Sequence, residues 1–205
     1  MSEHLIIDNV LVAFKTMHHI NQKKSRKVGE MAVKLDMSKA YERVEWGCLE
    51  EIMLKMCFHV KWINIMMSCV CSVSYSIRIN GKPCGHITPT RGLHQGDPLS
   101  LYLFLICAEG LFALLTKFVE DGLVEGVVAC PRGPAISHSF FAYDSLIFCQ
   151  ATREDCTSLG NILEIYEHAY GQQLNRDKTS LFFSSNTPQD IQDDIKFRFG
   201  VEVIK

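Results

Sequence analysis

Asp36, Arg91, Gln95, Asp144 and Lys178 are polar residues set where chemistry could be done. Asp144 lies in Ser137–Cys149, SHSFFAYDSLIFC, where two short apolar runs rich in aromatic and branched residues flank one small polar break. That pattern predicts a hairpin with Tyr143-Asp144 at or near its turn. A carboxylate held there by two strands can hold a cation. Aspartate is also a common turn residue, so spacing alone leaves both readings open. Asp36 ends the alternating run GEMAVKLD and so closes a strand just before a turn into the next element. Arg91 and Gln95 lie in TRGLHQGDPLS, whose two glycines let backbone approach a ligand closely. The helix start behind them can face a phosphate or a base. Lys178 is presented by the turn LNRDK.

The elements that must position these residues follow from periodicity. His4 to Ile20 has apolar residues near a 3.6-residue period and predicts a helix. NQKKSRK at 21–27 is a basic loop, readable as a solvated turn or as a phosphate contact. In Gly29 to Asp36, Met31, Val33 and Leu35 share one face of a strand, and Ala32, Lys34 and Asp36 share the other. A helix is expected from Met37 to about Phe58, and another from Lys61 to Cys71. Tyr75 to Thr88 predicts a hairpin turning at Gly81-Lys82. Asp97-Pro98 is a cap and first-residue pair that starts a long apolar helix. Thr152, with Asp155 three residues on, opens a helix that Gly171 ends. Thr179 to Ser184 is a strand, and the chain from Asn186 is polar and expected to be loosely held.

Composition narrows the classes. Of 205 residues, 47% are hydrophobic, enough for a substantial core. The net charge of -2 gives no global basic field, so any polyanion must be met by local positive charge. Nine cysteines without a CxxC pair read as buried, reduced thiols of an intracellular, non-secreted protein. His18-His19 reads as helix surface rather than a metal site. Pro98 to Leu115 is almost continuously apolar, but Glu109 in mid-span would cost about 2.5 kcal/mol or more in lipid. That helix is read as the buried spine of a soluble core, with no membrane.

VKLDMSKAYERVEW, GLHQGDPLS, SFFAYDSLIFC and LNRDKTS, in that order, resemble the palm of reverse transcriptases from plant LINE-type (non-LTR) retrotransposons. The resemblance covers nearly the whole chain. It implies an α+β fold: an antiparallel palm-like sheet backed by helices, with the Leu99–Phe118 helix behind it. It implies an RNA-directed DNA polymerase by descent, acting on an RNA template and a DNA primer, with no obligate protein partner. Its two-metal phosphoryl transfer uses Mg²⁺ or Mn²⁺ held by converging carboxylates. By resemblance Asp36 is the first metal ligand, and the other two fall on Tyr143 and Asp144. Tyr41 matches the aromatic under the incoming sugar, Gln95 a contact to nucleotide or template, and Lys178 a cation facing the departing pyrophosphate. Arg91 adds a substrate contact from its loop.

The departures bear on activity. The family pattern is FADD, and this chain has FAYD, with Tyr143 in place of the expected third carboxylate. A tyrosine near its reference pKa of about 10 stays neutral at pH 7. Losing that charge should lower the rate by about a thousandfold or more. His94 stands where arginine is usual, Leu101 where proline is usual, and Glu42 where aspartate is usual. Residues 1–185 are expected to be the end of the fingers plus the palm, and 186–205 a polar tail leading toward a missing thumb. The expectation is therefore a pseudoenzyme with impaired metal binding. The alternatives are a non-catalytic nucleic-acid-binding remnant, using Arg91, Lys39 and the Lys23–Lys27 loop, and a non-functional translated fragment.

Overall fold

The computed structural model describes residues 6–24, 28–130, 132–141 and 144–201. The elements run α1 (Ile6–Gln22), β1 (Glu30–Leu35), α2 (Trp46–Lys55), α3 (Val60–Cys71), β2 (Tyr75–Ile79), β3 (Lys82–Ile87), α4 (Pro98–Glu120), β4 (His138–Phe141), β5 (Asp144–Gln150), α5 (Arg153–Tyr170), β6 (Ser180–Phe183) and α6 (Gln189–Phe199). The chain divides into two compact units. The first holds residues 1–38, 111–167 and 174–205, and the second holds 39–110 and 168–173.

The first unit is built on a four-stranded antiparallel sheet in the order β4-β5-β1-β6. β1 is a central strand, so both its faces are covered. Met31, Val33 and Leu35 are buried, and so is Ala32 on the other side. The expected one-sided alternation holds as spacing, but the second face meets a second layer. That layer includes α1, whose Ala13 and Ile20 pack with Ala32, Val127 and Phe148. The inward stripe of α1 is narrower than its apolar periodicity suggests, because Val10, Leu11 and Phe14 are exposed. His4 and Leu5, at the start of that expected helix, lie outside the described residues.

α5 begins as expected, with the Asp155 N–H donating to Thr152 Oγ1 at 3.1 Å. It ends at Gly171, whose φ of +68° suits the left-handed cap. The segment after Asn186 is not a loose tail over its described part, 186–201. Thr187 and Ser184 are buried and hydrogen-bonded at 3.1 Å, and the Glu30 N–H donates to Ser184 Oγ at 2.8 Å. α6 then buries Ile195 and Phe199. Two apolar residues four apart, Ile195 and Phe199, suffice to dock a helix that is otherwise polar.

Residues 38–43 form turns rather than the expected helical start. Lys39 is left-handed with φ of +52°, which breaks helical continuity, and α2 starts only at Trp46. Tyr41, Val44, Leu49, Met53, Ile63 and Leu103 make the core of the second unit. The β2–β3 hairpin turns at Asn80-Gly81 rather than Gly81-Lys82, with φ of +49° and +82°. Both values being positive marks the primed turn that matches strand twist, for which Asn-Gly is the preferred pair. α4 starts as expected, because Asp97 Oδ1 accepts from the Leu99 N–H at 3.0 Å. α4 is long and apolar enough to cross a membrane, with mean hydropathy 2.0, and it is the one such helix among the described residues. Leu103, Cys107, Leu111 and Leu115 on it are buried.

The thiols are less uniformly buried than expected. Cys107, Cys149 and Cys156 are buried, whereas Cys57, Cys69, Cys71, Cys84 and Cys130 are exposed, and none is in a disulfide. Burial pushes the Cys107 thiol up to about 12 and the Cys156 thiol up to about 11, which keeps both protonated and unreactive.

Candidate functional site

The sequence-derived site residues fall into two groups, one in each unit. In the first unit the sheet register does the positioning. Lys34 pairs with Leu146 and Leu35 with Ser145. Asp36 follows Leu35 and Asp144 precedes Ser145, so the two aspartates are next in the chain to the last paired residues of two neighbouring strands. Asp144 also pairs with Phe141 across the hairpin. Tyr143 lies outside the described residues. Asp36 is half-buried, and its backbone carbonyl accepts the Asn175 N–H at 2.8 Å. A bridge between Met37 and Leu174 continues that contact. The turn that follows is closed on Asn175, whose carbonyl accepts N–H groups from Lys178 at 3.2 Å and Thr179 at 2.9 Å. Thr179 Oγ1 donates to the same oxygen at 2.8 Å. Lys178 is thus exposed on a turn tied to the end of β1.

In the second unit, Tyr41 is 7% exposed and its ring stacks on Phe104 with centroids 4.5 Å apart. The loop carrying Arg91 and Gln95 is hung on the Tyr41–Val44 turn. Gly92 N–H donates to the Val44 carbonyl and Leu93 N–H to the Tyr41 carbonyl, both at 2.8 Å. Trp46 Nε1 donates to the Gly92 carbonyl at 2.8 Å. The loop borders a cleft of about 440 Å³ lined by Arg91, Gln95, His94, Trp46, Tyr75 and Leu103, among others. His94 stacks on Tyr75 with centroids 5.8 Å apart.

Three of the cations assigned to phosphate contacts are already engaged. Lys23 is buried against Glu30, Lys39 lies 3.6 Å from Glu42, and Arg91 lies 3.1 Å from Glu45. Residues 25–27 of the basic loop lie outside the described residues. His19, expected on the helix surface, has Nε2 3.3 Å from the Glu30 carboxylate, while His18 is exposed and stacks on Phe14. Sequence reasoning missed Glu30, although an acid inside an otherwise apolar strand was a visible signal. It also missed the role of the Asp155 carboxylate, which accepts N–H groups from Gln150 at 3.1 Å and Glu125 at 3.2 Å.

The donor set sets a limit on metal binding. Among the described residues no three His, Cys, Asp or Glu side chains converge. Asp36 is described just past the end of β1, whereas Tyr143 and the side chain of Asp144 lie outside what is described.

The fold is similar to solved telomerase structures. Apo telomerase of Candida tropicalis, truncated from its C-terminal domain, superposes with a TM-score of 0.58 at 14% identity, over 90% of this chain and 36% of that one. Telomerase of the same species with a fragment of telomeric RNA gives 0.60 at 14% identity, over 88% of this chain and 29% of that one. The Candida albicans enzyme with the same kind of fragment gives 0.58 at 14% identity, over 87% and 31%. An uncharacterized mitochondrial protein of Arabidopsis thaliana is 45% identical over 76 residues, 37% of this chain and 62% of that protein. The chain thus spans about a third of the telomerases and under two thirds of the plant protein. The fold is α+β and palm-like, as the sequence pattern implies. The model for reverse transcriptase (RNA-dependent DNA polymerase) matches residues 1–199, and the chain belongs to that family.

Proposed function

We propose that this chain is the palm region of a plant LINE-type (non-LTR) retrotransposon reverse transcriptase, in a copy that no longer polymerises DNA. The reading rests on one observation above the others. The β1–β5 register ends at Leu35 and Ser145, next in the chain to Asp36 and Asp144, and the sequence puts Tyr143 where the family resemblance expects a carboxylate. The family works with divalent metal ions, and its members copy an RNA template from a primer; here those partners are proposals. Lys178 on the turn bonded to Asp36 would face the leaving pyrophosphate. Arg91 and Gln95 would meet nucleotide or template, with Tyr41 under the sugar. The same reading places the protein inside the cell, in nucleus or cytoplasm, where its nine free thiols stay reduced.

A thermal melt of the protein and of Tyr143→Asp, each with and without Mn²⁺, tests this reading. Ligand at about a hundred times its dissociation constant adds roughly 2.7 kcal/mol of stability. Only the variant is expected to shift upward. An equal shift in both proteins, or primer extension by the parent chain, would overturn it. The second reading is a nucleic-acid-binding remnant using Arg91, Lys39 and the Lys23–Lys27 loop; pairing of Lys23, Lys39 and Arg91 with carboxylates weighs against those three contacts.

A further inference from the structure

The chain carries 23 acidic residues, yet none falls between Ile52 and Gly96. That interval includes the β2–β3 hairpin, a two-stranded sheet with which no other strand pairs. Every residue of β3 is exposed, as is every residue of β2 after Tyr75. The hairpin combines two features seldom exposed together. Ile77 and Ile79 are 58% and 55% exposed, and they alternate with Tyr75 along one face of β2. Lys82 pairs with Ile79 on the same face. Arg78 leaves from the opposite face and folds over the turn, its Nε donating to the Gly81 carbonyl at 3.1 Å. Among the described residues neither Arg78 nor Lys82 has a carboxylate partner, unlike Lys23, Lys39 and Arg91. At the root of the face, Tyr75 stacks on His94 at the cleft that holds Gln95.

We propose that the β2–β3 hairpin is a docking track for single-stranded nucleic acid. The unpaired Arg78 and Lys82 meet the phosphates, and the Tyr75–Ile77–Ile79 row packs against unstacked bases. The hairpin itself carries Arg78 and Lys82 and no acidic residue, so its own charge is positive on a chain whose net charge is -2, while Glu42 and Asp97 line the cleft at its root. Apolar side chains interleaved with cations suit bases and phosphates together, and they need no sequence readout. The rigid Asn80-Gly81 turn keeps the face formed before a strand arrives. This inference rests on the polymerase-descent reading for its ligand class, and it transfers phosphate binding from the paired cations to the hairpin.

The test measures binding of a short fluorescein-labelled oligouridylate by anisotropy across a salt series. Arg78→Gln/Lys82→Gln removes two phosphate contacts, which lowers the log–log salt slope by about 1.4 at 0.7 per contact. Between about 50 and 200 mM salt the parent chain should therefore lose about sevenfold more affinity than the variant. Ile77→Ser should weaken binding with the slope unchanged. Lys15→Gln/Lys55→Gln, two exposed cations outside the hairpin, should change neither. Thermal melts of all four proteins should coincide, because the replaced side chains are exposed. Parent-level binding by both hairpin variants overturns the track and leaves the polymerase reading standing. An equal effect of the control pair also overturns it, as does self-association that Ile77→Ser abolishes. No binding by the parent chain removes both the track and the template-binding part of the polymerase reading, while the metal experiment on Tyr143 still judges the site.

Discussion

Asn175 donates its backbone N–H to the carbonyl of Asp36 at 2.8 Å, so the turn that presents Lys178 is fastened to the strand end that presents a candidate metal ligand. Residues 139 positions apart are thereby held by main chain rather than by side chains alone. The turn is closed by three hydrogen bonds onto one oxygen, the Asn175 carbonyl.

That closure predicts a modest effect at Thr179, which is 1% exposed. Thr179→Val removes the hydroxyl bond but leaves the Asn175 carbonyl its two N–H donors. The expected loss is about 1 kcal/mol, read as a lower urea midpoint at unchanged slope. A loss above about 3 kcal/mol would mean that the hydroxyl does more than close the turn.

The buried pair of Lys23 and Glu30 should be costly to break from one side. Their side chains are 8% and 6% exposed. Glu30→Ala leaves the Lys23 ammonium without its partner and should cost about 3–5 kcal/mol. Lys23→Met combined with Glu30→Leu should recover most of that loss, because no charge is left buried. A double variant as unstable as Glu30→Ala would show that packing rather than charge decides the site.

Two glycines with similar backbone angles should respond differently to alanine. At Gly81, φ is +82° and the space is open, so the cost is the left-handed strain alone, about 1–2 kcal/mol. At Gly92, φ is +89° and a new Cβ would lie 2.7 Å from the Glu42 carbonyl oxygen. Backbone cannot swing aside as a side chain can, so Gly92→Ala should cost roughly 3 kcal/mol or more. Equal midpoints in denaturant for the two variants would refute the steric account.

Asp155 predicts a pH effect of defined sign. Burial raises its carboxyl above the ordinary value, opposed in part by N–H donors from Glu125 and Gln150. Its folded pKa therefore lies above its unfolded value of about 3.9. Between the two values the folded state binds more protons, so stability falls as pH rises through that window. This contribution is fully present below the unfolded value and lost above the folded one. Asp155→Asn should flatten that part of the stability–pH curve while keeping an oxygen to accept both N–H groups. Asp155→Ala should instead destabilise at every pH, since it leaves two N–H groups unpaired.

Much of the fold was legible because its signals are local. The Asp97 and Thr152 caps, the Gly171 stop and the FFAYDSLIFC hairpin each depend on residues a few positions apart. The misread elements depended on distant partners. β1 reads as one-sided until Phe148 and Ile20 cover Ala32, and α6 reads as a tail until Ile195 and Phe199 are buried. Lys39 at φ +52° carries no local signal of a break, so residues 37–45 looked helical.

The sequence by itself determined the family, the order of the motifs and the tyrosine at position 143, since these are properties of residue type and spacing. Tertiary structure alone decided which residues meet. Register across β1 and β5 set Leu35 opposite Ser145, and so the ends of the two motifs side by side, because strand pairing is fixed by burial of both strands' apolar residues and not by any motif. Folding likewise paired Lys23, Lys39 and Arg91 with carboxylates and left Arg78 and Lys82 without them, because ion pairing is set by proximity in space, which charge along a chain does not specify.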